Sequence, residues 1–307
     1  MSQTEDLVLP FLLGSSSISG RIVKLGTELD KAIKQHNYPK NISLALGEFL
    51  ALGSMLAATI KFDGNLKIQT HSDGPLGMLV ADISNSGVVR GYANYDESYD
   101  KVLNSDFSFN NLSFNDLVGS GYMALTIDQD KNKQSYQGVV ELKGDSLASC
   151  AKSYFLQSVQ VKTDIILAAE YTERGWRAGG IMVQKMPLEE GEDKVSDKYL
   201  LDLDKEDWDR AVILMGSMKI SELLDEEISA DQLAFRLFHN ESVRGLEAQK
   251  IRFGCSCSRD RCERVLSTLP REEIEEMVKN GVLTMVCQFC NSVHTFDVSS
   301  LDALISS

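Results

Sequence analysis

Several absences narrow the possibilities first. No apolar run is long enough to cross a bilayer. The densest, Phe49 to Ile60, is bounded by Glu48 and Lys61 and falls short of the roughly 20 residues that a spanning helix needs. Glu5 and Asp6 precede the first apolar residues, the wrong sign for a secretory signal, so a cytoplasmic location and no membrane partner are expected. Basic side chains are few, 31 against 45 acidic, for a net charge of −14. Such a chain is repelled by phosphate backbones unless its basic residues cluster, so no nucleic-acid partner is expected. The sequence contains no G-x-S-x-G, H-E-x-x-H, G-x-x-x-x-G-K or G-x-G-x-x-G pattern, and no enzymatic activity is expected. Gly119-Ser120-Gly121 and Gly179-Gly180 read as turn or close-packing glycines. There is no tandem repeat.

What is present describes an ordinary globular mixture, 307 residues with 43% hydrophobic and 25% charged, ample for a core. From residue 1 to Pro187 helical and extended signals alternate. Asn41 to Ile60 carries Leu44, Leu46, Phe49, Leu50, Leu52, Leu56 and Ile60 at helical spacing, as in a buried helix. Extended runs follow at Leu66–His71, Leu79–Ile83, Val88–Tyr92, Met123–Asp128 and Tyr136–Leu142, punctuated by Asp63-Gly64, Asp73-Gly74-Pro75 and Asn85-Ser86-Gly87. Ser146–Gln157 reads as a second helix, with Asp145 or Ser146 as its N-cap. Strands at Asp164–Tyr171 and Ala178–Lys185 flank a turn at Glu173-Arg174-Gly175. The polar stretch from Asn94 to Asn115 reads as a surface loop. The expectation is an α+β fold whose N-terminal domain is built on antiparallel sheet.

Residues 188–249 differ in character. Between Leu188 and Ile228 there are 14 acidic and 5 basic residues, a net of −9. Leucines, Trp208, Val212, Ile213, Met215, Met218, Leu223, Leu233, Phe235 and Phe238 recur among them. This pattern describes amphipathic helices lying on another surface. A helical linker packed on the first domain is the simplest reading; conditional exposure of its apolar face would need a trigger.

The third part, residues 250–307, supplies a candidate. The first 149 residues carry no cysteine and Cys150 stands alone, yet Cys255, Cys257, Cys262, Cys287 and Cys290 fall within 36 positions. Cys255-Ser256-Cys257 is followed after 29 residues by Cys287-Gln288-Phe289-Cys290. Two close pairs separated by a helix-sized insert suit four-thiolate zinc. The insert reads as two short helices, with Pro270 in the first turn of the second, Glu272 and Glu273 at its positive end, Lys279 at its negative end and Gly281 at its exit. Val282–Val286 and Val293–Val298 read as a hairpin with the second pair at its turn. Cys262, one helical turn from Val265 and Leu266, is expected to be a non-ligating thiol, and Cys150 a core residue. His294 is an alternative ligand, ranked below the thiols. A strained Cys255–Cys257 disulfide would be readily reduced, since two residues of extended chain span about 6.6 Å and a disulfide prefers Cα separations of about 5.5–6 Å. That makes a reversible oxidant sensor physically reasonable. Two rivals remain: a zinc-ribbon nucleic-acid binder, disfavoured by the 7 basic and 8 acidic residues of this part, and a thiol–disulfide oxidoreductase, disfavoured because Cys287-x-x-Cys290 does not open a helix in a βαβ unit.

At these residues the sequence resembles the redox-regulated 33-kDa heat-shock chaperone family. The resemblance rests on the Cys-x-Cys pair followed by Ser258-Arg259-Asp260-Arg261-Cys262, on Leu269-Pro270, and on the distal Cys-x-x-Cys. It extends upstream through Leu56–Gly64, Gly74-Pro75, Tyr136–Val140 and Gly179–Pro187, covering nearly the whole chain. It implies that Cys255, Cys257, Cys287 and Cys290 bind one Zn²⁺ per chain in the reduced, inactive state. It further implies that stress oxidation forms disulfides Cys255–Cys257 and Cys287–Cys290, expels the metal and unfolds the module and linker. The exposed surface would then hold unfolded or partly unfolded client proteins without ATP, and the activated form would be a homodimer.

Overall fold

The computed structural model describes residues 4–14, 17–60, 62–99, 113–129, 136–186 and 198–297. The chain divides into two compact units, Met1–Phe253 and Gly254–Ser307.

The first unit is built around one helix between two sheets. That helix, α2 (Lys40–Ala57), follows the short amphipathic α1 (Thr27–Lys34) and begins after Pro39, whose fixed φ suits a helix start. It ends three residues before the expected Ile60. Most of its side chains are buried, on every side, because strands of both sheets lie against it. Close approach depends on Gly53, where a β-carbon would stand 2.6 Å from Ile83 Cδ1. The buried Ser54 hydroxyl is satisfied by donating to the Leu50 carbonyl at 2.8 Å.

One sheet contains β3 (Gly64–Ser72), β4 (Met78–Ser84), β5 (Val88–Asn94), β6 (Gly121–Gln129), β7 (Tyr136–Glu141) and β12 (Arg252–Phe253), in the order β12-β5-β4-β3-β6-β7. All its pairings are antiparallel except β12 with β5. Strands β3, β5 and β7 alternate: in β3, Leu66, Ile68 and Thr70 are buried while Lys67, Gln69 and His71 are not, whereas the central strand β4 is buried from Leu79 to Ile83. This is the pattern of a sheet with one face on a core, and it explains why all five long strands were legible as extended runs. The short helix α3 (Phe114–Val118) precedes β6. The expected loop at Asn94–Asn115 falls mostly outside the described residues; its described ends hold the close of β5, a 3-10 turn at Glu97–Tyr99 and the start of α3.

The other sheet contains β1 (Leu7–Leu13), β2 (Ile18–Leu25), β8 (Thr163–Thr172), β9 (Gly175–Lys185), β10 (Val243–Gly245) and β11 (Gln249–Lys250). Its order is β10-β1-β2-β9-β8, with β11 also on β1, and its pairings are antiparallel. Both faces are buried. Val8, Val23, Ala178 and Met182 point into the core with α2, whereas their neighbours Leu9, Ile22 and Ile181 point the other way into a second cluster. A doubly covered sheet needs nearly continuous apolar strands, which is how Leu7-Val8-Leu9-Pro10-Phe11-Leu12-Leu13 reads. The helix after β7, α4 (Leu147–Tyr154), is capped by the Ser146 hydroxyl accepting from the Ser149 amide at 3.2 Å. It passes into a π turn at Phe155–Val159 before β8.

The second cover of this sheet is the acidic segment. It folds as α5 (Lys198–Gly216), α6 (Ile220–Leu224) and α7 (Ala230–Phe238). A capping box starts α7: Ser229 Oγ accepts from the Gln232 amide, and Gln232 Oε1 accepts from the Ser229 amide. Ala211, Met215, Leu223, Leu233, Leu237 and Phe238 pack onto Leu9, Phe11, Ile22, Ile181 and Val183. Leu223 fits against β9 because residue 179 is glycine; a β-carbon there would lie 2.8 Å from Leu223 Cγ. Not every apolar residue of the segment turns inward: Ile213 and Phe235 are 71% and 65% exposed.

Candidate metal centre

The second unit is small. Among the described residues its core is Leu266, Ile274, Leu283 and Phe296, with Cys262, Leu269, Val278 and Met285 packed around them. These come from α8 (Arg259–Leu266), α9 (Arg271–Met277) and the three-stranded sheet β13 (Val278–Lys279), β14 (Val282–Val286) and β15 (Val293–Asp297). Pro270 caps α9 from just outside it rather than entering its first turn. Lys279 lies in β13 rather than at the helix end, because the chain turns extended at Val278 and reverses through Asn280-Gly281, both at positive φ. The expected hairpin is present as β14 and β15, in register Val286↔Val293.

Local structure brings four sulfurs together. Cys255 and Cys257 sit on the loop leading into α8, whose N-cap Ser258 accepts from the Arg261 amide at 3.2 Å. Arg261 turns back and donates from Nη1 to the Ser256 carbonyl at 3.2 Å and to the Ser256 hydroxyl at 2.5 Å, fixing the residue between the two cysteines. Cys287 and Cys290 occupy the β14–β15 turn, closed by Cys287 N donating to Ser292 O at 3.0 Å and Asn291 N donating to Cys287 O at 2.8 Å. Arg259 ties α8 to β15, donating to the Thr295 carbonyl at 2.7 Å with its guanidinium 4.4 Å from the centre of the Phe296 ring.

The sulfurs of Cys255, Cys257, Cys287 and Cys290 all lie within 4.8 Å of one another. Cys255 and Cys287 are 3.6 Å apart, Cys257 and Cys290 3.3 Å. A disulfide would require about 2.05 Å, so all are thiols. A tetrahedron with metal–sulfur bonds of about 2.3 Å has sulfur–sulfur edges of about 3.8 Å. The cluster therefore fits the four-thiolate cage of a metal ion. Burial and the surrounding thiols push Cys257 up, and burial chiefly raises Cys287. At Cys290 burial also acts upward, but hydrogen bonding with the hydroxyl and amide of Ser292 and with the thiols of Cys257 and Cys255 together outweighs it and brings the thiol down to about 7. Cys257 and Cys287, raised in this way, are poor thiolates without a cation to neutralise them.

The remaining candidates lie outside this group. Cys262 packs against the small core. Cys150 is fully buried in α4, its thiol pushed up to about 11 by burial and then by Asp145. His294 lies on β15 opposite Met285; among the described residues its Nε2 is buried without a hydrogen-bond partner.

Sequence reasoning missed the basic residues that bind the acidic segment to the sheet in the first unit. Lys24, 3% exposed, donates from Nζ to the carbonyls of Asp225 and Ile228. Arg177, 8% exposed, donates from Nη2 to Glu226 at 2.9 Å and from Nη1 to Glu5. Arg174 also pairs with Glu226. The available signal was the cations inside the largely apolar strands β2 and β9, Arg21 and Lys24 in the first and Arg177 in the second.

Comparison with known proteins agrees with this picture. The family model described as Hsp33 protein matches residues 6–297. The 33 kDa chaperonin of Caulobacter vibrioides is 32% identical over 298 residues, covering 95% of each chain. That of Nitrosococcus oceani is 35% identical over 297 residues, covering 96% of this chain and 93% of its own. The crystal structure of the 33 kDa chaperonin from Thermotoga maritima superposes with a TM-score of 0.79 over 98% of both chains at 19% identity, a likeness of fold. No helix among the described residues is long and apolar enough to cross a membrane. The four-cysteine cluster, the doubly covered sheet and these matches together place the chain in the Hsp33 chaperone family.

Proposed function

We propose that this protein is a redox-controlled, ATP-independent holdase of the cytoplasm, inactive while Cys255, Cys257, Cys287 and Cys290 hold one zinc ion. The observation that carries the reading is the sheet buried on both faces, one of its covers being an acidic helical segment. Lifting that cover would expose Leu9, Phe11, Ile22, Ile181 and Val183, each stabilised by roughly 1.5–3 kcal/mol while buried. A contiguous apolar face of that kind is an interaction surface, suited to unfolded or partly unfolded clients. Three working parts follow: residues 1–187 as the client-binding domain, 188–249 as the removable cover, and 250–307 as the switch.

Zinc would supply the folding free energy that so small a core lacks, on the order of 10–16 kcal/mol at neutral pH. Peroxide would take two electrons from each of the pairs Cys255–Cys257 and Cys287–Cys290. One disulfide forms in each pair, and each peroxide, with two protons, becomes two waters. Disulfide sulfurs no longer serve as thiolate ligands, so the second unit loses its staple. Its disorder would spread through the two- and three-residue strands β12, β11 and β10 to the helices before them. The opened form is expected to dimerise through the uncovered face. No nucleic-acid partner and no enzymatic turnover enter this reading. The test is suppression of aggregation of a heat-unfolding client. Protection by the peroxide-treated protein and none by the reduced, zinc-loaded protein is expected; equal protection by both would remove the switch, and none by either would remove the chaperone.

A further inference from the structure

The face beneath α5–α7 is not uniformly apolar. Lys24 of β2 and Arg177 of β9 share it with Ile22 and Ile181, since each is an even number of residues from its apolar neighbour along the strand. Both cations are shielded from water, and burial brings the Lys24 ammonium down to about 8 despite the nearby Asp225 and Glu5 carboxylates. What covers them is specific. The turn between α6 and α7 presents the Asp225 and Ile228 carbonyls to Lys24, and the Glu226 carboxylate to the Nη2 arm of Arg177. Glu5, in the bend just before β1, satisfies the other arm. Leu223, Leu224 and Ile228 flank this turn and are buried. The cover is thus an apolar segment carrying a carboxylate and a turn whose carbonyls accept from a buried cation.

We propose that the uncovered face selects client segments of this same chemistry, apolar stretches bearing a carboxylate beside a turn, with Lys24 and Arg177 as the selecting residues. This deepens the holdase reading and rests on it. Departure of α5–α7 leaves the Lys24 ammonium and one arm of the Arg177 guanidinium open to water. A client that buries them again without supplying acceptors leaves charges desolvated and unpaired, which is costly. A client with a carboxylate and exposed carbonyls restores what the turn gave. Discrimination of this kind comes from penalising the wrong segment as much as from rewarding the right one.

The test uses the full chain, oxidised with peroxide and freed of zinc, and two fluorescein-labelled peptides read by anisotropy. One peptide has the sequence of Lys219–Leu233; the other carries Asp225→Asn, Glu226→Gln and Glu227→Gln. The acidic peptide should bind about tenfold more tightly, the equivalent of one charge-assisted hydrogen bond. The difference should shrink in Arg177→Gln and in Lys24→Met. Equal affinity of the two peptides for the wild-type chain overturns the proposal whether or not the variants fold, as does an undiminished difference in both folded variants. The same oxidised sample is assayed against an aggregating client: suppression with equal peptide affinities removes the selectivity alone, whereas no suppression removes the holdase reading and the selectivity with it.

Discussion

Individual side chains of the four-cysteine cluster are not interchangeable with the two other cysteines. Cys262 contributes packing to a core of four buried residues, and Cys150 is a buried, strongly disfavoured thiolate in the other unit. Zinc content per chain should therefore stay near one in Cys262→Ser and fall in Cys287→Ser, as metal analysis of the purified variants will show. Glu48 of α2 offers a separate test. Burial pushes its carboxyl up from 4.5 to about 7. A carboxyl raised in this way binds more protons folded than unfolded between those values, so its contribution to stability declines as pH rises from 4.5 towards 7. Glu48→Gln should raise the melting temperature at pH 8, by the equivalent of roughly 1–3 kcal/mol, and leave it nearly unchanged at pH 4. An equal gain at both pH values would place the effect elsewhere. The cysteine pattern was legible in the sequence because both close cysteine pairs are local. The contacts of Arg259 with Phe296 and of Lys24 with Asp225 and Ile228 were not, since they join residues that only the fold brings together.

Secondary elements show the same division between local signal and tertiary cause. Most of the extended runs from Leu66 to Leu142 alternate because one face of their sheet meets α2, and α2 itself declared its presence through density of apolar residues. Strands β1 and β2 and helix α1 were not assigned from sequence. A strand buried on both faces has no alternation to read, and a short apolar run containing Pro10 does not distinguish strand from helix segment. Strands β10 to β12 are only two or three residues long, too short to carry a period. The acidic segment was recognisable as amphipathic helix, but which residues turn inward was not: Ile213 and Phe235 face outward. Docking of α6 depends on Leu223 in the space above Gly179. Leu223→Ala removes a fully buried side chain and should weaken that docking by about 2–5 kcal/mol. Protease cleavage within residues 198–241 of the reduced protein should then become faster, with α2 still protected. Unchanged cleavage would show that α6 does not hold the segment down.

For the whole molecule, two kinds of stability lie side by side in one chain. The first unit has a large core around α2 and a second cluster beneath α5–α7. Among the described residues the second unit has a core of four side chains and a cluster of four sulfurs. Domains of about 55–65 residues are marginal on burial alone, so the second unit's order should rest on whatever the sulfurs hold. The acidic segment draws its order from the sheet it covers, held by apolar packing and by the two buried cations. For the proposed switch to lift the cover, the zinc binding free energy lost on oxidation would have to exceed that docking energy, a population shift that the magnitude of zinc binding makes possible.

Hydrogen exchange of the full chain, compared between the reduced zinc-loaded and peroxide-oxidised zinc-free states, tests this coupling most directly. The account predicts that oxidation abolishes protection in residues 254–297 and in α5–α7, and leaves α2 protected. Protection of α5–α7 that survives the loss of order in residues 254–297, in a protein that nonetheless holds clients, would contradict it.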